Sequence, residues 1–77
     1  MIFPLDIKQA GQYDLNIYDN KGIRRKTLSE GISLEPNLYH IQWNGIGDDG
    51  LALESGSFLY VLSQDGKPIV SGTFLMR

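Results

Sequence analysis

Apolar and polar residues alternate with a period of two over several short stretches of the chain. Tyr13, Leu15 and Ile17 are separated by Asp14 and Asn16, and Tyr39, Ile41 and Trp43 by His40 and Gln42. Successive side chains of a strand point to opposite faces, so each stretch predicts a strand with one buried and one wet face. Residues 58–62 are apolar throughout, which predicts a central strand covered on two sides. Turn chemistry falls between these segments at short intervals: Ala10-Gly11, Asn20-Lys21-Gly22, Gly31, Pro36-Asn37, residues 45–50, Ser55-Gly56 and Asp65-Gly66. No window repeats apolar residues at i, i+3, i+4 and i+7 over a helical length. The pattern predicts strands over 2–8, 12–18, 23–28, 38–44, 50–53, 57–64 and 68–76. Short strands with turns every 8–12 residues or so describe an all-β chain, an antiparallel β-sandwich of about seven strands.

Particular residues follow from this pattern. Asp65-Gly66 reads as a two-residue hairpin turn in which both central residues take φ > 0, matching the twist of the flanking strands. Asp19-Asn20-Lys21-Gly22 reads as a longer turn with Gly22 in the left-handed position. Gly45 is a third turn-permitting glycine, after Gly22 and Gly66. Pro4 and Pro68 fall at strand starts or edges, where a missing N–H costs little. Leu15, Ile17, Ile41, Phe58, Tyr60 and Leu62 are expected to fill the core. Trp43 is expected to anchor the sheets, its indole N–H finding a local acceptor.

Composition narrows the field. The 77 residues include no cysteine, which removes disulfides, thiolate nucleophiles and Cys-based zinc sites. A net charge of −2 and a pI near 5.1 argue against a dedicated nucleic-acid binder. The apolar run at 58–62 falls far short of the roughly 20 residues of a membrane helix, so no membrane insertion is expected. The first residues carry no basic region followed by a long apolar stretch, so any export signal is expected outside these residues. Size scaling gives a buried area of about 7,800 Å² on folding. Apolar burial then contributes roughly 115 kcal/mol at ~25 cal/mol/Å², and ordering the chain at about 1.5 kcal/mol per residue opposes it almost equally. A balance near zero without a covalent staple suits a module that rests against a neighbour.

Candidate chemistry is sparse. Asn44, Asp48 and Asp49 gather side-chain oxygens in one loop, and calcium takes six to eight oxygens. Only two carboxylates are present and the spacing is not that of an EF-hand, while Asp and Asn also serve turns through their own backbone. The turn is the favoured reading, and no cofactor is assigned. Lys21, Arg24, Arg25 and Lys26 would form an anionic-ligand patch only if they converged, but alternation sends Arg25 to the face opposite Arg24 and Lys26. A charged, solvated strand that resists edge association is the simpler reading. The eight aromatic residues raise a carbohydrate platform, with Tyr18 the best candidate for exposure. His40 is the single histidine, expected on a solvent face, and no G-x-S-x-G elbow accompanies it. A catalytic role is not expected.

Leu15-Asn16-Ile17-Tyr18-Asp19-x-x-Gly22, Trp43-Asn44-Gly45, Asp48-Asp49-x-Leu51 and Ser55-Gly56-x-Phe58, followed by a final apolar strand, resemble the flagellar hook-capping (FlgD-type) Ig-like domain family. The resemblance spans almost the whole chain as one domain, 1–77. Asn44 departs from the aspartate usual there, Asp49-Gly50 is shorter than many versions, and Arg25 stands at a strand position that is usually apolar. The resemblance implies a seven-stranded Ig-like sandwich, commonly the terminal, non-catalytic accessory module of an exported or cell-surface bacterial protein. Such a domain would dock on a neighbouring domain or another protein, in an extracellular, surface or periplasmic setting. Three alternatives stand beside it: a fragment of a hook-capping protein, a C-terminal sorting domain of type IX secretion, and a carbohydrate-binding module.

Overall fold

A computed structural model describes residues 1–76. They form six strands: β1 (Ile2–Ile7), β2 (Gly11–Asp19), β3 (Arg24–Leu34), β4 (Asn37–Gln42), β5 (Gly56–Gln64) and β6 (Lys67–Met76). There is no helix among them. β1 and β4 pair antiparallel as a two-stranded sheet, and the other four strands form an antiparallel sheet in the order β3-β2-β5-β6.

Alternation makes the two sheets stick. On β1 the odd positions Phe3, Leu5 and Ile7 are buried while Ile2, Pro4 and Asp6 are exposed; on β2 Tyr13, Leu15 and Ile17 are buried. One half of the core joins Leu5 and Ile7 to Tyr13, Leu15, Leu34 and Leu62; the other joins Phe3 to Ile17, Trp43, Leu53 and Phe58. Full burial of each such side chain contributes about 1.5–3 kcal/mol. Aromatic rings fill the second half. The Phe3 ring lies 5.0 Å from Tyr60 and 5.1 Å from Phe74, and Trp43 meets Phe74 edge-on at 6.1 Å. Offset and edge contacts of this kind suit the ring quadrupoles.

Several expectations are corrected. Residues 50–53 do not form a strand; a single bridge between Ile46 and Ala52 is all the pairing they make. Gly50 at φ +82° turns the chain there, the Asp49 Oδ1 accepts from the Leu51 N–H, and Leu51 points into solvent at 67% exposure. The third strand does not stop at 28 but runs to Leu34, through Gly31 at φ +63°. That left-handed conformation serves a turn and a bulge equally well. Three register shifts against β2 each insert one extra residue into β3, so the glycine marks a kinked strand rather than its end. Finally, β5 is central in its sheet but covered on one face only. Leu59 and Val61 on the outer face lie under no second layer and are half-buried by their neighbours.

Candidate interaction surface

The loop that gathers Asn44, Asp48 and Asp49 spends its oxygens on backbone. Asn44 Oδ1 accepts from Ile46 N at 3.0 Å, Asp49 Oδ1 from Leu51 N at 3.0 Å, and the Asp48 carboxylate from Thr27 N at 3.2 and 3.3 Å. The Asp48 N–H donates in return to Arg25 O at 3.0 Å, and Lys26 Nζ lies 3.6 Å from the Asp48 carboxylate. Among the described residues no group of three or more His, Asp or Glu is placed to hold a metal. The effect of the loop is mechanical: it lies along the free side of β3 and occupies backbone groups at Arg25 and Thr27.

Arg25 ties the same corner together. Its guanidinium donates to both carboxylate oxygens of Glu54 at 2.9 Å each, and to Asp19 Oδ2 at 3.5 Å. Asp19 Oδ1 meanwhile caps its turn by accepting from Lys21 N and Ile23 N at 2.9 and 3.0 Å. The Arg25 hydrogen bonds pull the Glu54 pKa down to about 2, the Ile23 N–H is the chief cause of a lowered Asp19 pKa, and Glu54 raises that of Arg25. Planar, two-pronged pairs of this sort fix geometry. The four basic residues therefore do not form one patch: Lys21 and Arg25 lie by Glu54, with Arg25 bonded to it and to Asp19, Arg24 is exposed, and Lys26 is near Asp48.

The opposite edge of the sheet has no such dressing. β6 pairs with β5 from Gly56↔Met76 to Leu62↔Val70 in unbroken register, and one extra residue, Ile69, interrupts the ladder before Ser63↔Pro68. From Val70 to Met76 the strand carries neither charge nor proline. Among the described residues, no hydrogen bond of a loop or strand covers its far side. Ile69 and Leu75 on the outward row are 50% and 62% exposed. The two-stranded layer ends above this edge, leaving a cleft of about 330 Å³ lined by Ile7, Tyr13, Leu62, Ile69 and Val70 among others. A shallower one of about 400 Å³ lies at the other end of the strand, by Met1, Trp43, Leu75 and Met76.

The residues singled out in the sequence are distributed as follows. Leu15, Ile17, Phe58, Leu62 and Trp43 are buried, and Trp43 Nε1 donates to Ile46 O at 3.0 Å. Ile41 and Tyr60 are half-buried and pack against the core from its margin. Gly22, Gly45 and Gly66 have φ of +81°, +82° and +77°, and Asp65 joins Gly66 at +53°. Tyr18 is half-buried on the outer face of β2 rather than freely exposed, and His40 is exposed on β4. The free edge of β6 was not visible beforehand; the lack of charge in 68–76 was the one signal that pointed to it. No family model matches the chain, and no curated protein matches it.

Proposed function

We propose that the chain is a non-catalytic, Ig-like β-sandwich module of an exported or cell-surface bacterial protein, presenting a sheet edge for contact with another protein surface. The observation that carries this reading is the bare edge of β6, flanked by two clefts and by the exposed side chains of Ile69 and Leu75. A long, flat, uncharged edge is a template for a further strand, and most folds hide or blunt such edges. The ordered motifs from Leu15 to Phe58 support the FlgD-type assignment and, with it, the accessory role and the exported setting. The outer face of the small sheet is mixed, with Ile2 and Leu38 each 55% exposed at its two ends beside Gln42 and Asp6.

The test is the state of the native polypeptide in its own cells. Intact mass after affinity capture, combined with fractionation of the cells, is expected to show a species well above 8.6 kDa in an exported or surface fraction. A free 8.6 kDa cytosolic species would overturn the reading.

A further inference from the structure

We propose that β6 pairs edge to edge with β6 of a second copy of this chain, antiparallel about a two-fold axis through Gly72, fusing the two four-stranded sheets into one. The proposal deepens the interaction-module reading and rests on it for the use of this edge.

The geometry of an antiparallel ladder leaves alternate N–H and C=O groups of an edge strand pointing away from its neighbour. On β6 these groups form a straight row over residues 70–76, because the one bulge, the one proline and the one lysine all lie at 67–69. The other edges are less suited. β3 is bulged at three places, charged at Arg24, Arg25, Lys26 and Glu30, and bonded at Arg25 and Thr27 by Asp48 of the 45–53 loop. β1 carries Pro4 in mid-strand and Asp6 near its end. β4 has only six residues, with His40 among them.

Charge and pattern favour a copy of the same chain as the occupant. The hairpin is uncharged two strands deep: over Gly56–Gln64 and 68–76 there is no Asp, Glu, Lys or Arg. Bringing β6 against itself therefore sets no like charges opposite each other over residues 68–76, where they would destabilise the pairing. Inward residues of β6 are the even ones, Val70, Gly72, Phe74 and Met76. A two-fold through Gly72 keeps them on one face, placing Val70 opposite Phe74 and Ser71 opposite Thr73 of the second copy. It also brings the exposed Ile69 and Leu75 of the two copies together at each end of the seam, where each is otherwise in water. Main-chain pairing of one strand is a small interface, so the dimer is weak, with a Kd on the order of 10–100 µM.

Sedimentation equilibrium of the 77-residue chain from about 5 µM to 1 mM reads the association. The wild type is expected to shift from monomer to dimer, and the double variant Ser71→Lys/Thr73→Lys, placed on the exposed row, to raise the Kd by at least about tenfold. Leu38→Lys on the other sheet is expected to leave it unchanged. Hydrogen exchange on the wild type alone gives a second readout: alternate amides within 70–76 gain protection at high concentration and those of β3 do not. It decides the matter even if the lysine variant folds poorly. A chain monomeric at 1 mM, a dimer indifferent to both lysines, or protection gained on β3 or β4 instead would each overturn the proposal. None of these outcomes bears on the mass and cell fraction of the native polypeptide, so the broader reading stands or falls separately.

Discussion

The two hairpins of the large sheet, β2–β3 and β5–β6, do the same work in the core and opposite work at the surface. Each lays apolar side chains under β1 and β4, and each ends in an edge strand. The first carries seven charged residues (Asp14, Asp19, Lys21, Arg24, Arg25, Lys26 and Glu30), and the second only Asp65 and Lys67, both at its turn. β3 is kinked by three extra residues, held by Asp19, Asp48 and Glu54, and covered by a loop; β6 runs straight after Ile69 and is uncovered. Edge protection is thus concentrated on one side of the sheet. The difference teaches that the bare edge is not a general failing of a small fold, since the same chain builds a dressed one where it ends on β3.

The sharpest test of the comparison is through the core, to which both hairpins contribute but with side chains of unequal burial. Phe58 on β5 is 3% exposed and stacks on Phe74 with ring centroids 5.9 Å apart, whereas Leu28 on β3 is half-buried at the margin of both clusters. Phe58→Ala is expected to cost about 3–5 kcal/mol, as is Trp43→Ala. Leu28→Ala should cost about 1–2 kcal/mol, because a side chain already half in water has less transfer energy to lose. For a domain of this size the aromatic losses should abolish the cooperative transition. Urea unfolding followed by circular dichroism checks both, and a cooperative Phe58→Ala or Trp43→Ala domain would refute the central placement of those rings.

Two glycines separate the edges next. A Cβ built on Gly72 would stand 2.6–2.7 Å from atoms of the Tyr60 ring, which is itself packed 5.0 Å from Phe3. Gly72→Ala forces that ring to shift and is expected to cost about 1–3 kcal/mol. At Gly31 there is open space, and the penalty is only that of φ +63° for an L-residue, about 1 kcal/mol. Melting temperatures of the two variants should fall in that order, with Gly72→Ala the less stable. The reverse order would mean that the β3 kink, not the contact beneath β6, is the tighter constraint.

Much of this was legible in the chain because alternation is a local signal. β1, β2 and β6 came out within a residue or two, and Asp65-Gly66 announced its own turn, since both residues tolerate positive φ. Most of what failed was non-local, the 50–53 turn being the local exception. Gly31 read as punctuation because turn and bulge demand the same backbone, and only pairing with β2 tells them apart. Residues 50–53 read as a strand from Leu51, Ala52 and Leu53, but Gly50 and the Asp49 cap aim Leu51 outward. Arg25 and Glu54 are 29 residues apart, so nothing in the sequence joined them. The candidate surface was the least legible part, since an edge is defined by sheet order, and order depends on which strands meet.

The charge dressing of β3 titrates, which gives a weaker test. Glu54 has its pKa lowered to about 2 by Arg25, against an ordinary value of 4.5. A carboxylate depressed on folding adds stability above its unfolded pKa and loses it as the pH falls through the folded one. The contribution is therefore complete above about pH 4.5 and fades toward pH 2, with Asp19 fading in the same sense. Urea midpoints should drop more steeply over that window for the wild type than for Glu54→Gln. Parallel profiles would show that the pair fixes the corner without stabilising it.

The smallest expected effect asks which of the three protections of β3 matters. Arg24→Thr/Lys26→Thr removes two exposed or half-exposed charges whose nearest partner, Asp48, is 3.6 Å from Lys26. Surface pairs at such distances contribute little, so stability should change by less than about 0.5 kcal/mol. Association should not change either. The Asp48 N–H and carboxylate still occupy Arg25 O and Thr27 N, and the three shifts still break the row of free groups a second strand would need. Placing the pair in a Ser71→Lys/Thr73→Lys background weakens pairing at β6, and hydrogen exchange then tells a dimer formed on β3 from a residual one on β6. If one appears, with exchange protection along Arg24–Leu34, charge alone was keeping that edge apart. If none appears, the loop and the bulges suffice to protect β3 without its exposed charges.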